Sequence, residues 1–190
     1  MVVFILALVI VSPLIVISWV EKLVSRSEVL FVFLGQFLSM VPGLIGTYLR
    51  GAFYFGTIDE CSWETHLGFG TFFTHRAARL EREVSTGAYC VLGHASLEQG
   101  VRLASRVSVP SGKRQHLDDA GQIVAENHFE RVTIGRDTWV GEGAIVMADV
   151  GASSIVSAGA IVTRPTPSAS IVGGNPAKVL KALDELSPGS

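Results

Sequence analysis

With 190 residues, the chain is long enough for one domain with a real core plus an appendage. It is 48% hydrophobic and 17% charged, with a mean hydropathy of +0.44, and this excess over an ordinary soluble domain sits almost entirely before residue 56. A net charge of −2 without a basic stripe excludes a nucleic-acid binder, and two cysteines, Cys61 and Cys90, make neither a disulfide scaffold nor a zinc motif.

Residues 1–20, MVVFILALVIVSPLIVISWV, carry no charge, and a helix of that length just spans a hydrocarbon core of about 30 Å. Pro13 predicts a kink, and Trp19 falls where an interfacial aromatic belongs. The stretch has neither the basic start nor the small-residue cleavage site of a secretory signal. Lys22 and Arg26 follow it, which places the bulk of the chain on the cytoplasmic side of an inner membrane. A second apolar stretch, 29–55, is broken by Gln36, Pro42 and glycines. It reads as a helix lying in the interface with Arg50 meeting headgroups; the alternative is a buried hydrophobic helix of a soluble oligomer. Residues 1–55 are thus expected to form membrane-anchoring helices, and 56–79 a connecting segment and first coil.

From residue 80 the chain keeps a six-residue beat: LEREVS, TGAYCV, then, further on, IGRDTW, VGEGAI. First positions are mostly aliphatic, second positions often glycine, and fifth positions small. A period of six fits neither a helix nor a plain strand. It predicts a three-sided coil over 80–175 in which each hexad makes one short strand and turns a corner, with glycine placed where positive φ is cheap. Cys90 falls on an inward position and reads as a small hydrophobe. Leu92–Leu97 and Val146–Val150 are short hexads, so those faces are expected to be tightened. The beat stops at 113–131, a polar stretch with Lys113, Arg114, His116, Asp118 and Asp119. A solenoid tolerates such an insertion only as an outward loop at a corner. Residues 176–186 are expected to form a short helix that caps the coil within a 176–190 tail.

The order IG…WVGEGAIV…SAGAIVTR…GGNPAKVLK resembles the hexapeptide-repeat acetyltransferases, in particular their galactoside and colanic-acid (exopolysaccharide) branch, over roughly residues 67 to 182. The resemblance implies a mainly β protein built as a left-handed parallel β-helix. It further implies an acetyl-CoA donor, a sugar hydroxyl as acceptor, no metal, and a homotrimer with active sites between adjacent subunits. The membrane segment is outside the generic family pattern. Metal-dependent hydratases share this fold, but they need histidine ligands spaced across coils, and no H-x₄-H pair exists here. Two other readings stay open: an acyltransferase with a different donor or an amine acceptor, and a non-catalytic membrane scaffold.

Acyl transfer from a thioester to a hydroxyl needs a base, donors for the developing oxyanion, and a track that aligns both substrates. Histidine, with an ordinary pKa of about 6.5, suits the first task, and in the resembling enzymes the catalytic histidine occupies the place of His116. Trp139 is expected to point out beside the His116 loop and to wall the thioester end. Gly143, Ala144, Gly159 and Ala160 offer small side chains past which pantetheine would reach main-chain amides. By the resemblance, Thr163 and Arg164 mark the nucleotide end and Lys178 a basic position for the 3′-phosphate. His94 stands near where sugar-acetylating relatives carry acidic or amide acceptor contacts, a departure from their pattern. His128 is placed to close over a substrate, and Asp118 and Asp119 to orient His116. His66 and His75, on the way into the coil, read as structural.

Overall fold

The computed structural model describes residues 1–25, 27–113, 115–116, 121–124 and 128–183. Arg26, Arg114, Asp118 and Asp119 therefore lie outside the described residues.

Three helices come first: α1 (Val2–Val24), α2 (Val29–Ser39) and α3 (Gly43–Thr57). In α1 the buried residues Phe4, Ala7, Val11, Ser18 and Glu21 recur at helical spacing, and this stripe packs mainly along α3. Trp19 Nε1 donates to Gly56 O at 2.7 Å, tying the two helices at one end. The 29–55 stretch is thus two helices, not one. Phe31, Phe53 and Tyr54 form an aromatic cluster with Phe73 of the coil, and the Tyr54 hydroxyl accepts the Phe73 N–H at 3.2 Å. The helices close the open N-terminal end of the solenoid, an end that any solenoid must cover.

Arg50 corrects the sequence reading. It meets no headgroup: it is 0% exposed, and its guanidinium donates to the carbonyls of Leu38, Ser39, Val41 and Leu67. The first two belong to the last turn of α2, whose carbonyls lack the full helical ladder and where a cation is favoured by the helix dipole. Outward, Val3, Leu6, Ile10, Ile17 and Leu23 of α1 and Phe33 and Phe37 of α2 stay exposed. Among the described residues α1 is the one helix long and apolar enough to cross a membrane by length and composition.

The coil is a parallel β-solenoid of about six turns with three faces. Face A holds β1 (Glu60–Cys61), β3 (Arg79–Leu80), β6 (Ala95–Leu97) and β9 (Val132–Ile134). Face B holds β4 (Ser85–Thr86), β7 (Arg102–Leu103), β10 (Trp139–Val140), β12 (Ile155–Val156), β14 (Ser170–Gly174) and β15 (Ala177–Ala182). Face C holds β2 (Phe72–Phe73), β5 (Val91–Leu92), β8 (Ser108–Val109), β11 (Ile145–Val146) and β13 (Ile161–Val162). Aliphatic residues such as Leu80, Leu97, Val140 and Val162 point inward and stack as fully buried columns, as the hexads predict. Cys90 is buried among them, and burial pushes its thiol pKa up.

The glycines do two jobs, only one of which was foreseen. Gly143 has φ +69° at a corner with open space around it, the cheap positive-φ role. Second-position Gly141 does not: a Cβ there would sit 2.5 Å from Ala158 N in the next coil, so its role is close approach between coils. The C-terminal expectation also fails. Residues 177–182 form β15, an antiparallel strand on β14, instead of a capping helix. The unpaired edge of β14 offers hydrogen bonds that outweigh local helix preference.

Candidate active site

The insertion leaves face C after β8 and rejoins face A at β9, so it stands at the C/A corner. Val124 N–H donates to His116 O and His128 N–H to Gln115 O, at 2.9 and 2.8 Å, which pins the exposed His116 near the loop's stem. Lys113 Nζ donates to Thr163 O at 3.3 Å, joining the stem to the C/A corner two coils further on, where Arg164 is exposed. At the stem's base the buried Ser111 accepts the His94 N–H on its hydroxyl at 2.9 Å.

His75 and His94 share this corner on successive coils, because Phe72 pairs with Val91 and Phe73 with Leu92. His94 Nε2 takes the Arg131 guanidinium at 3.0 Å, so it is an acceptor and its proton sits on Nδ1. Burial, then the nearby Arg131 charge, lowers its pKa below the ordinary imidazole value. His75 Nδ1 lies 2.7 Å from Glu28 Oε2, whose other oxygen accepts the Arg76 N–H at 2.8 Å. Burial alone would raise the Glu28 pKa, but the hydrogen bonds from His75 and the Arg76 backbone hold it below the usual carboxylate range. The Phe129 ring, on the loop's return, packs 4.2 Å from the His75 ring. Together with Lys22, Asp59 and Ala77 these groups line a cavity of about 700 Å³ between helices, coil and loop.

Sequence reasoning took His75 as structural and did not single out Glu28. Glu28 and His75 are 47 residues apart and no motif links them. Counting coil by coil instead of hexad by hexad would have aligned His75 with His94.

Of the predicted donor-side residues, Thr163 and Arg164 share the C/A edge with the loop, and the others fall elsewhere. Trp139, 49% exposed, stands on face B in register with Arg102 and Ile155, beside a cleft of about 600 Å³ that also includes Asp137 and Thr138. Lys178 is exposed on β15 of the same face. In a three-sided coil, face B is opposite the C/A corner, so one chain does not put Trp139 beside the His116 loop. Gly143, Ala144, Gly159 and Ala160 lie at the B/C corner. Their N–H groups donate to the Ser105, Gly141, Glu142 and Ser157 carbonyls in the chain as it stands. His66 is exposed on face B, bridged to Ser85. The described residues hold no cluster suited to a metal ion.

No protein-family model matches the chain. Among solved structures, the chain is similar to a maltose O-acetyltransferase from Clostridium difficile 630, with a TM-score of 0.71 and 16% identity, covering 80% of this chain and 84% of that one. It is also similar to a hexapeptide-repeat-containing acetyltransferase from Vibrio cholerae, with a TM-score of 0.64 and 18% identity over 80% of this chain and 90% of that one. The same Vibrio cholerae O1 biovar eltor protein complexed with acetyl coenzyme A gives 0.64 and 17%, over 85% and 91%. At these identities the likeness establishes the hexapeptide-repeat solenoid fold.

Proposed function

We propose that the chain is a membrane-associated O-acetyltransferase of the galactoside and exopolysaccharide type. It moves an acetyl group from acetyl-CoA to a sugar hydroxyl on a surface polysaccharide or lipid-linked glycan precursor, at the cytoplasmic face of the inner membrane. The observation that carries the reading is the long insertion at 113–131, which holds His116 at the C/A corner and whose return places Phe129 in the wall of a polar cavity. The neighbours named acetyltransferases, one of them holding acetyl coenzyme A, support the donor.

In this reading His116 takes the proton as the acceptor oxygen attacks the thioester carbonyl. The new C–O bond forms, the C–S bond breaks, and the proton passes to the departing coenzyme A sulfur. Acetyl-CoA lies along face B of an adjacent copy, with Trp139 flanking the thioester end, and Lys178 of that copy and Arg164 meet the nucleotide phosphates. The His116 half and the Trp139 half lie on opposite sides of one chain, so a second copy must unite them, and the homotrimer implied by the hexapeptide-repeat resemblance would supply it. The exposed apolar side of α1 and α2 is the membrane-facing surface.

The test is transfer of radiolabelled acetyl from acetyl-CoA to glycolipids extracted from membranes, using the full-length protein in lipid nanodiscs. Label appearing on a sugar oxygen supports the reading. Tight coenzyme A binding without transfer to any hydroxyl or amine acceptor would reduce the chain to a scaffold.

A further inference from the structure

The polar cavity under the loop adjoins an apolar groove. Ser27 borders both. The groove, about 560 Å³, runs between the C-terminal end of α1 and the start of α2 and is lined by Val16, Ile17, Val20, Val24 and Leu30. Its aliphatic residues are surface-exposed and lie on the same apolar helix face that fronts the bilayer in the reading above. From groove to cavity to the stem of the loop that carries His116, the lining changes from aliphatic to charged along the C/A corner.

Resting on the proposed acetyl transfer, we infer that the cavity and groove together bind the acceptor as an amphiphile: a neutral, hydroxyl-rich head in the cavity and its hydrocarbon tail in the groove. The cavity wall supports the head. Glu28 and Asp59 are carboxylates that accept from hydroxyls, Lys22 and His94 border it as polar groups, and the Phe129 ring offers a flat face for the C–H side of a sugar. Cations and anions both line it, so a neutral polyol is matched better than an anion or a cation of single sign. Its volume of about 700 Å³ suits one or two sugar rings. His75, locked between Glu28 and Phe129, joins the helical cap to the loop. The tail supplies affinity in proportion to the methylenes it buries, about three- to fourfold per CH₂, and it leaves the head's hydroxyl next to the loop.

The test is photocrosslinking on the full-length protein in nanodiscs, which does not depend on turnover. The probe is an alkyl glucoside with a diazirine in its tail; its control is the same tail ending in a plain alcohol. The glucoside is expected to label the 16–30 segment, to be competed by unlabelled octyl glucoside, and to lose about tenfold of that labelling in the Asp59→Asn, Phe129→Ala variant. Both substitutions are at the surface of the cavity, and unchanged thermal unfolding verifies the fold. Equal labelling of that segment by the alcohol, or labelling spread over Val2–Ile10 as well, makes the groove ordinary lipid contact and overturns the inference. Specific glucoside labelling without acetyl transfer would sustain the amphiphile site and refute the transferase reading; transfer to glycans without specific labelling would do the reverse.

Discussion

His116 is where residue chemistry bears most on function. If it takes the hydroxyl proton in the transition state, His116→Ala loses about 10²–10⁴ in kcat, or roughly 3 to 5 kcal/mol of barrier. Acetyl-CoA affinity and thermal unfolding stay near parental, because the exposed ring is outside the packed coil. A near-parental kcat on the true acceptor would leave the loop a lid. Arg50 is the opposite case, structural and deep. Its guanidinium serves four backbone carbonyls; Leu38 O and Ser39 O also accept from the Val41 and Gly70 N–H groups, so Arg50→Met takes the donor chiefly from Val41 O and Leu67 O and is expected to cost about 2–5 kcal/mol, read as a lowered denaturation midpoint. Glu28 gives a pH signature. Its pKa is held down in the folded protein, so its stabilisation is present above its unfolded pKa and is lost as pH falls through the folded one. Glu28→Gln therefore unfolds at a lower temperature than the parent at neutral pH, and this gap narrows on acidification below the carboxylate range. A gap constant with pH would show that Glu28 acts through packing alone.

Element by element, the coil's spacing sets what it tolerates. Gly141→Ala drives a Cβ into the Ala158 backbone, which cannot rotate away, and is expected to cost about 1–3 kcal/mol by overpacking. Gly143→Ala meets no neighbour but must hold φ +69°, costing about 1 kcal/mol. Calorimetry on the two variants separates close approach from backbone strain, and a larger loss at Gly143 would invert the assignment. The beat of six was legible because buried columns at Leu80, Leu97, Val140 and Val162 repeat in sequence as they stack in space. The outward loop was legible for the same reason, as a break in that beat. What was hidden depends on partners distant in the chain. Arg50 sits in an apolar stretch like an interfacial cation, and only the fold reveals the α2 carbonyls around it. AKVLKAL reads as a helix because its residues favour one locally, yet the β14 edge recruits it as β15.

For the molecule as a whole, the helices and coil form one packed unit, and the helical cap cannot be removed cleanly. Deleting residues 1–55 would uncover Phe73 and Leu67, both fully buried, and remove the Tyr54 partner of the Phe73 amide. The truncated chain is expected to aggregate instead of entering solution as a folded coil; a monodisperse, cooperatively melting product would contradict this. The central claim is that an active site joins the C/A corner of one copy to face B of the next. Co-assembly of two defective chains tests it most directly: one carries His116→Ala, the other Trp139→Ala with Lys178→Ala. Each alone has every site impaired. In trimers mixed in equal amounts, about a quarter of the sites combine an intact His116 with an intact face B, so acetyl transfer is expected to rise to about a quarter of the parental rate. Activity that stays at the mean of the two separate variants would mean that each site is built within one chain, contradicting the account.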